Sequence, residues 1–429
     1  MLNIEKFFSN YYKGSKEPSL EAMKYFMDKF DNFEKSMKFI HIAGTNGKGS
    51  CVEMISNILI TQGYRVGKFI SPHLIRYNER ISINNKEISD AELEELITEL
   101  QPYINEYNIN NKVPVTFFEL TTIIALLYFY RKDVNFVVLE TGLGGLYDCT
   151  NIITKPLVSI ITSIGYDHIQ LLGNSLQEIA YQKAGIIKEN SNTILFEQTD
   201  EINRIIIDTC KKKNNKLYMI KKHQIQNYSY DNTYQYFDYN NLSNISIILK
   251  GLKQVQNSAI CIECMKILND LGFVVTENSI RNGLKTVVHR ARMEIINTDP
   301  LMIFDGAHNE PAIENFLNSI NMYYSNSERV YIISILKRKN YKKMIKILMK
   351  DVNALFIFTY GNDINKYVSS EELYNIALEY KSNHKILKMC LDEAIKFVID
   401  KQKNDSIFFV GSFYTYGHVL DTISKYKYI

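Results

Sequence analysis

Tryptophan is absent from the sequence, while Asn, Lys, Ile and Tyr are abundant, with 30 Tyr among 429 residues; this is compositional drift and carries no function. A charge excess is also missing. The 50 basic residues stand against 47 acidic ones, without the basic surplus or stripe of an electrostatic nucleic-acid binder. The first stretch, MLNIEKFFSNYYKGSKEP, mixes charge with aromatics and has no apolar core before a small-residue cleavage site, which argues against a signal peptide. The longest apolar-looking run, 117–130, contains Glu119 and two threonines and stops at Arg131 and Lys132. It is too short to span a bilayer and reads as a buried helix. Zinc-ligand spacing is lacking as well. Cysteines 51, 149, 210, 261, 264 and 390 are scattered, as in a reduced cytosolic protein. Cys261 and Cys264 form a CxxC inside a helical pattern without a second pair, whereas zinc takes about four ligands, so core packing is the reading. What is present is 46% hydrophobic content, enough for a large core in two or three domains of a cytoplasmic chain that needs no membrane partner.

Short apolar runs alternate with longer periodic segments. Strands are predicted at 38–43, 66–70, 135–140, 157–162 and 192–196, and helices at 48–62, 91–107, 118–132, 176–188 and 200–213. In the helix 48–62, Val52, Ile55, Ile58 and Leu59 share one face. This alternation predicts an α/β fold with a mainly parallel sheet. Residues 222–250 differ, being rich in Tyr and Asn with short alternating stretches, and predict small antiparallel strands. Helical patterns return at 255–271 and 276–287. A second α/β series starts at 301–305 and continues with strands at 329–335, 353–359 and 406–411. The pause at INTDP, 296–300, sets the expected boundary between a domain 1–296 and a domain 297–429.

Residues 41–50, HIAGTNGKGS, lie between a strand and a helix. Gly44, Gly47 and Gly49 allow the backbone to wrap an anion with its N–H groups inward, and the helix adds its positive end. Lys48 can reach the β- and γ-phosphates, and Ser50 can help hold Mg²⁺. The strict G-x-x-x-x-G-K-[ST] pattern is not met: Ile42 stands at its first Gly, and Gly49 follows the Lys. Ser71, Glu140, Asp167 and His168 fall at or just past predicted strand ends, where an open parallel sheet forms its ligand crevice. Together they suggest a metal–phosphate site, since Mg²⁺ prefers oxygen ligands and retains water. The plainer reading of His168 is a histidine hydrogen-bonded near the site.

GTNGKGS, SPHLIRYNERI, FFELTT, ETGLGG-x-x-D-x-TN, G-x-DH-x-x-x-LG with IAYQKAGIIK, and DGAHN occur here in order. The set resembles the folylpolyglutamate synthase family, with its dihydrofolate synthase branch, in the Mur ligase superfamily. The resemblance implies a P-loop parallel-sheet ATPase domain followed by a smaller Rossmann-like domain. It implies that residues Gly44, Thr45, Asn46, Gly47, Lys48, Gly49 and Ser50 hold the triphosphate of ATP, and that Ser71 and Glu140 ligate one Mg²⁺ and His168 a second. Lys183, in YQKAGI, matches the lysine that is carbamylated in the family; its plainer reading is a surface lysine. KQVQN resembles an HQ-x-x-N element, so Asn257 is implied at the nucleotide. Arg292 aligns with the arginine of PGR-x-E, although Arg290 and Ala291 replace the Pro and Gly. Asp305 is implied at the nucleotide and His308 toward the acceptor glutamate; for DGAHN alone the plainer reading is an Asx-type turn. The pterin side is implied near SPHL, Thr116, Tyr147, Asp148 and Cys149. There the chain departs from the family's GGRLDATN, with Leu146 in place of the arginine. ILKRKN, 335–340, matches the family's lysine–aspartate element only loosely.

The activity implied is ATP-dependent ligation of L-glutamate to a folate or dihydropteroate carboxylate through an acyl phosphate, by a monomer with catalytic roles for Lys48, His168, Lys183 and His308. Three rivals stand beside it: another Mur-type ligase acting on a cell-wall nucleotide precursor, a P-loop kinase or NTPase, and a non-catalytic folate- or nucleotide-binding protein.

Overall fold

The structure, a computed structural model, describes residues 4–9, 11, 19–325, 327–352, 354–380, 385–401 and 406–426. Most of the stretch MLNIEKFFSNYYKGSKEP, and residue 353 of one predicted strand, lie outside them. The first sheet contains β1 (Phe39–Ala43), β2 (Val66–Phe69), β3 (Ile81–Ile83), β4 (Lys86–Glu87), β5 (Phe136–Glu140), β6 (Val158–Ile161), β7 (Asn192–Phe196) and β8 (Lys216–Ile220). Its order is β4-β3-β2-β5-β1-β6-β7-β8. From β2 to β8 the pairing is parallel, and β3 and β4 extend one edge as an antiparallel hairpin. The central strands β1, β5 and β6 are buried along their whole length. They are covered on both faces, and their unbroken apolar runs follow from that. One face packs against the helices Lys48–Thr61, Leu252–Asp270 and Glu277–Thr286, the other against Glu21–Lys29, Asp90–Asn110 and Phe117–Arg131.

β9 (Ile225–Tyr230), β10 (Gln235–Tyr239) and β11 (Leu242–Ile247) form a separate antiparallel sheet. The third sheet holds β12 (Glu294–Thr298), β13 (Leu301–Asp305), β14 (Arg329–Ile333), β15 (Ala354–Phe358), β16 (Lys385–Lys388) and β17 (Ser406–Val410), in the order β12-β13-β17-β14-β15-β16. All its pairs are parallel except that of the edge strand β12, so the INTDP stretch is part strand and part turn, and this sheet begins at Glu294. Apolar clusters fill both of its faces. The α/β fold class and the two parallel sheets agree with the sequence reading. The helix expected over 176–188 ends at Ala184, after which Ile186 and Ile187 turn into the core instead of continuing one face. Among the described residues no helix is long and apolar enough to cross a membrane.

In the first sheet the chain runs from β1 to β2 on one side, and β5 to β6 passes over β1 to the other. The carboxyl ends of β5, β1 and β6 therefore open a crevice at a switch of strand order, the usual ligand position in such sheets.

Candidate active site

The phosphate loop leaves β1 and enters the helix Lys48–Thr61 through Gly47, whose φ of 92° is left-handed and suits a residue without a side chain. A Cβ there would also stand 2.9 Å from Asn257 Oδ1, so Asn257 closes on the loop from the helix Leu252–Asp270. Thr45 and Asn46 are braced from behind. Thr45 N donates to the Ser163 carbonyl at 2.6 Å, Thr45 Oγ1 to the Gly165 carbonyl at 3.0 Å, and Ser163 Oγ to the Asn46 carbonyl at 3.0 Å. Lys48 Nζ donates to the Gly44 carbonyl at 3.1 Å and lies 4.0 Å from Glu140 Oε1. Ser50 Oγ is 3.1 Å from His289 Nδ1.

Glu140 ends β5 as a buried carboxylate. Its Oε2 accepts the Ser71 backbone N–H at 3.1 Å. Burial raises its pKa, and Lys48 opposes that rise. A carboxylate so placed has acceptor capacity left for a cation. Among the described residues no three His, Cys, Asp or Glu gather into a ready-made metal cage. Glu140, with Ser71 against it and Ser50 on the phosphate loop, offers instead sparse oxygen donors of the kind Mg²⁺ takes, its shell being completed by water and phosphate.

Past β6, Asp167 is the meeting point of the two lobes. Lys339 Nζ donates to its Oδ1 at 2.6 Å and Asn309 Nδ2 to its Oδ2 at 3.1 Å. His168 Nε2 and His308 Nε2 stand 3.8 and 3.9 Å from its oxygens. Asn309 and Asn46 exchange two amide hydrogen bonds, each 3.1 Å. Burial would raise the Asp167 pKa, but Lys339, His168 and His308 outweigh it and hold the carboxylate below its ordinary range. Burial, then Lys339, brings His168 down to about 4 and His308 down to about 3, so both rings are neutral near pH 7. His308 Nδ1 then donates to the Gly306 carbonyl at 2.7 Å, which leaves Nε2 as the free lone pair.

Lys183 is 3% exposed on the helix Leu176–Ala184, which removes its reading as a surface lysine. Burial, then the charge of Lys48, lowers its pKa to about 7. Glu140, His168, Lys183 and Lys339 all feel the charge of Lys48. Across the crevice, Arg292 lies over the Phe413 ring at 4.5 Å and is drawn to Asp305 and Glu140. Asp305 accepts Met293 N–H at 3.0 Å and Ala307 N–H at 2.8 Å, so its carboxylate shapes the turn that presents His308.

The residues expected on the pterin side are less uniform. Thr116 caps the helix Phe117–Arg131, with its hydroxyl donating to Glu119 Oε2 at 2.8 Å. Asp148 is buried and braces its own loop through Leu143 N–H, Thr150 N–H and the Thr150 hydroxyl, at 2.7, 3.1 and 2.5 Å. Tyr147 is 48% exposed and Cys149 half-buried. Leu146 is tied to the end of the Lys183 helix, its N–H donating to the Gln182 carbonyl at 2.7 Å. Three residues given no role by the sequence reading join the crevice. Lys339 sits in the loosely matching ILKRKN, and His289 precedes RAR. Arg80 lies within SPHLIRYNERI: its Nε donates to His73 Nδ1 at 2.8 Å and its guanidinium covers Phe117 at 5.1 Å. Arg80 is 7% exposed, and Tyr77, Tyr414, Glu140 and Glu79 act on its charge without an ion pair to either carboxylate.

Residues 42–265 match the family model of the Mur ligase middle domain, and 289–422 that of the dihydrofolate synthetase C-terminal domain. The dihydrofolate synthase/folylpolyglutamate synthase of Bacillus subtilis (strain 168) is 32% identical over 411 residues, 93% of each chain. The chain belongs to the folylpolyglutamate synthase/dihydrofolate synthase family. It is accordingly an ATP-dependent ligase of the Mur type. The folylpolyglutamate synthase of Thermotoga maritima has the same fold, with a TM-score of 0.83 at 29% identity over 98% of this chain and 96% of that one. Escherichia coli FolC, solved in complex with ADP and without folate substrate, gives 0.84 at 26% identity over 99% and 97%. The fold is thus shared with these relatives over nearly the whole chain.

Proposed function

We propose that the crevice joins the amine of L-glutamate to the carboxylate of dihydropteroate or of a folate, after the γ-phosphoryl group of ATP has activated that carboxylate as an acyl phosphate. The observation that carries this reading is the gathering of Glu140, His168, Lys183 and Lys339 around Lys48, at the point where both lobes meet. The ADP complex of Escherichia coli FolC supports nucleotide binding, and the family resemblance implies residues 44–50 as its seat, with Asn257, Arg292 and Asp305 around it. Ser71 and Glu140 are suited to one Mg²⁺, and His168 with a carbamate on Lys183 to a second. Bound Mg²⁺ would neutralise charge on the transferring phosphoryl group.

Lys48 reaches that group from the loop and stabilises the charge that spreads over its oxygens. Lys183 is half neutral at about pH 7. A neutral amine adds CO₂ and loses a proton, so the cation is exchanged for an anion beside Lys48. Arg80, a buried guanidinium that feels Glu140 and Glu79 without forming an ion pair with either, supplies the positive charge that Leu146 does not, and it suits the substrate carboxylate. The glutamate amine then attacks the acyl carbon, a tetrahedral intermediate forms, and phosphate leaves. Closure of the lobes excludes water, which would otherwise hydrolyse the acyl phosphate. Six free cysteines suit a reducing cytoplasm, and the chain is taken to work as a monomer.

The test is a substrate panel with ATP, Mg²⁺ and glutamate against dihydropteroate, tetrahydrofolate and a muramyl nucleotide. ADP release is expected to depend on both glutamate and a pteroyl substrate, and the two pteroyl compounds separate the synthase activities. ADP release independent of glutamate, or specific to the muramyl compound, would sink the reading.

A further inference from the structure

Between the helix Glu277–Thr286 and β12 the chain crosses the start of the Lys48 helix. Asn57 sets this crossing, since its amide donates to the Gly283 carbonyl at 2.7 Å and to the Thr286 hydroxyl at 3.0 Å. The result is that His289 reaches the phosphate loop from outside it. Its Nδ1 is 3.1 Å from Ser50 Oγ, and a Cβ on Gly49 would come within 3.2 Å of its Nε2. The ring is enclosed, with Ser50 against Nδ1 and Gly49 against Nε2. A neutral imidazole has one donor and one acceptor nitrogen, and a serine hydroxyl has one proton and two lone pairs. A Ser50 that offers oxygen to a cation must send its proton elsewhere. In the tautomer that carries its proton on Nε2, His289 Nδ1, 3.1 Å from Ser50 Oγ, is the acceptor for it.

We propose that His289 is a positioning residue of the phosphate loop: its Nδ1 accepts the Ser50 proton and so turns a Ser50 lone pair toward the metal–phosphate side. The inference rests on the ATP–Mg²⁺ reading of the crevice and adds to it a residue from the connector ahead of the second lobe. The contribution of His289 belongs to Mg²⁺-dependent nucleotide binding and passes through Ser50.

The experiment is calorimetric titration of the full chain with ADP, with and without Mg²⁺, for wild type, His289→Leu, His289→Asn, Ser50→Ala and the double variant carrying both His289→Leu and Ser50→Ala. His289→Leu is expected to reduce the Mg²⁺-dependent tightening of ADP about five- to tenfold, the scale of one net hydrogen bond, while Mg²⁺-free ADP binding stays within about twofold. His289→Asn, whose amide oxygen can take the same proton, recovers most of the loss. On the Ser50→Ala background the effect of His289→Leu disappears, as coupled residues require. Unfolding or loosening would weaken the Mg²⁺-free arm as well. Unchanged Mg²⁺-dependent tightening in His289→Leu, or an undiminished loss on the Ser50→Ala background, overturns the proposal and leaves the nucleotide reading standing. Absence of Mg²⁺-dependent ADP binding in wild type overturns both.

Discussion

Lys183 owes its chemistry to its surroundings. Its helix points it into the interior, where burial and Lys48 lower its pKa to about 7. As pH rises through 7 the ammonium therefore gives way to the amine, the form that the proposed carbamate requires. With CO₂ limiting, ligation is expected to increase from about pH 6 to about pH 8, on either side of that value, and added bicarbonate should flatten the profile; a rate indifferent to bicarbonate throughout would count against the carbamate. Lys183→Ala should be slow and partly rescued by a short carboxylic acid, as measured by glutamate incorporation. Lys48→Ala and Glu140→Ala should each reduce incorporation by about a hundredfold or more in a folded protein, since the first removes the cation proposed to meet the transferring group and the second the carboxylate proposed to hold Mg²⁺; near-normal turnover in either would undo the assignment. Residues of this kind were legible in the sequence where chemistry sets the residue type at a strand end, as for Lys48, Glu140 and His168. The burial of Lys183 was not, because one lysine on a short helix reads equally well as solvated. His289 and Lys339 were illegible for another reason: their partners, Ser50 and Asp167, lie 239 and 172 positions away, and no local spacing announces them.

Elements were legible in proportion to their burial. β1, β5, β6 and β13 are apolar runs that the two-sided cover of a parallel sheet demands, and the sequence pattern located them within a residue or two. The β3–β4 hairpin and β12 left no such trace, since strands of two to five residues at a sheet edge carry little pattern. The loop after β5 belongs to the same scale. Asp148 links Leu143 N–H to Thr150, and Thr150 Oγ1 lies 2.8 Å from His41 Nε2 on β1. The loop is therefore fastened to the strand that carries the phosphate loop. Asp148→Ala is expected to cost about 2–4 kcal/mol, because several buried groups lose their partner at once. Denaturant unfolding would measure it, and a change below a few tenths of a kcal/mol would leave Asp148 free for the substrate role that the family resemblance implies.

At the scale of the molecule, the lobes meet through residues far apart in the chain: Asn46 and Asn309 are separated by 263 positions, Asp167 and Lys339 by 172. Separations of this size explain why lobe pairing could not be read from local pattern. The depressed pKa of Asp167 means that its carboxylate adds stability above the ordinary aspartate range, and that this stability is lost as pH falls through the lower folded value. Lys339→Met weakens the depression, so the acid midpoint of unfolding, followed by circular dichroism, should move to higher pH; an unmoved midpoint would mean that the histidines alone hold Asp167 ionised. The Asn46–Asn309 pair behaves differently. Each amide gives one hydrogen bond and receives one, and neither carries charge. Dissolved ions screen charges over a distance of about 10 Å at 0.1 M, but the two bonds between the amides hold no net charge to screen, in contrast to the Asp167 carboxylate that Asn309 also meets. That point of contact therefore keeps its strength as ionic strength varies, and the alignment of the two lobes is insulated there from the salt content of their surroundings.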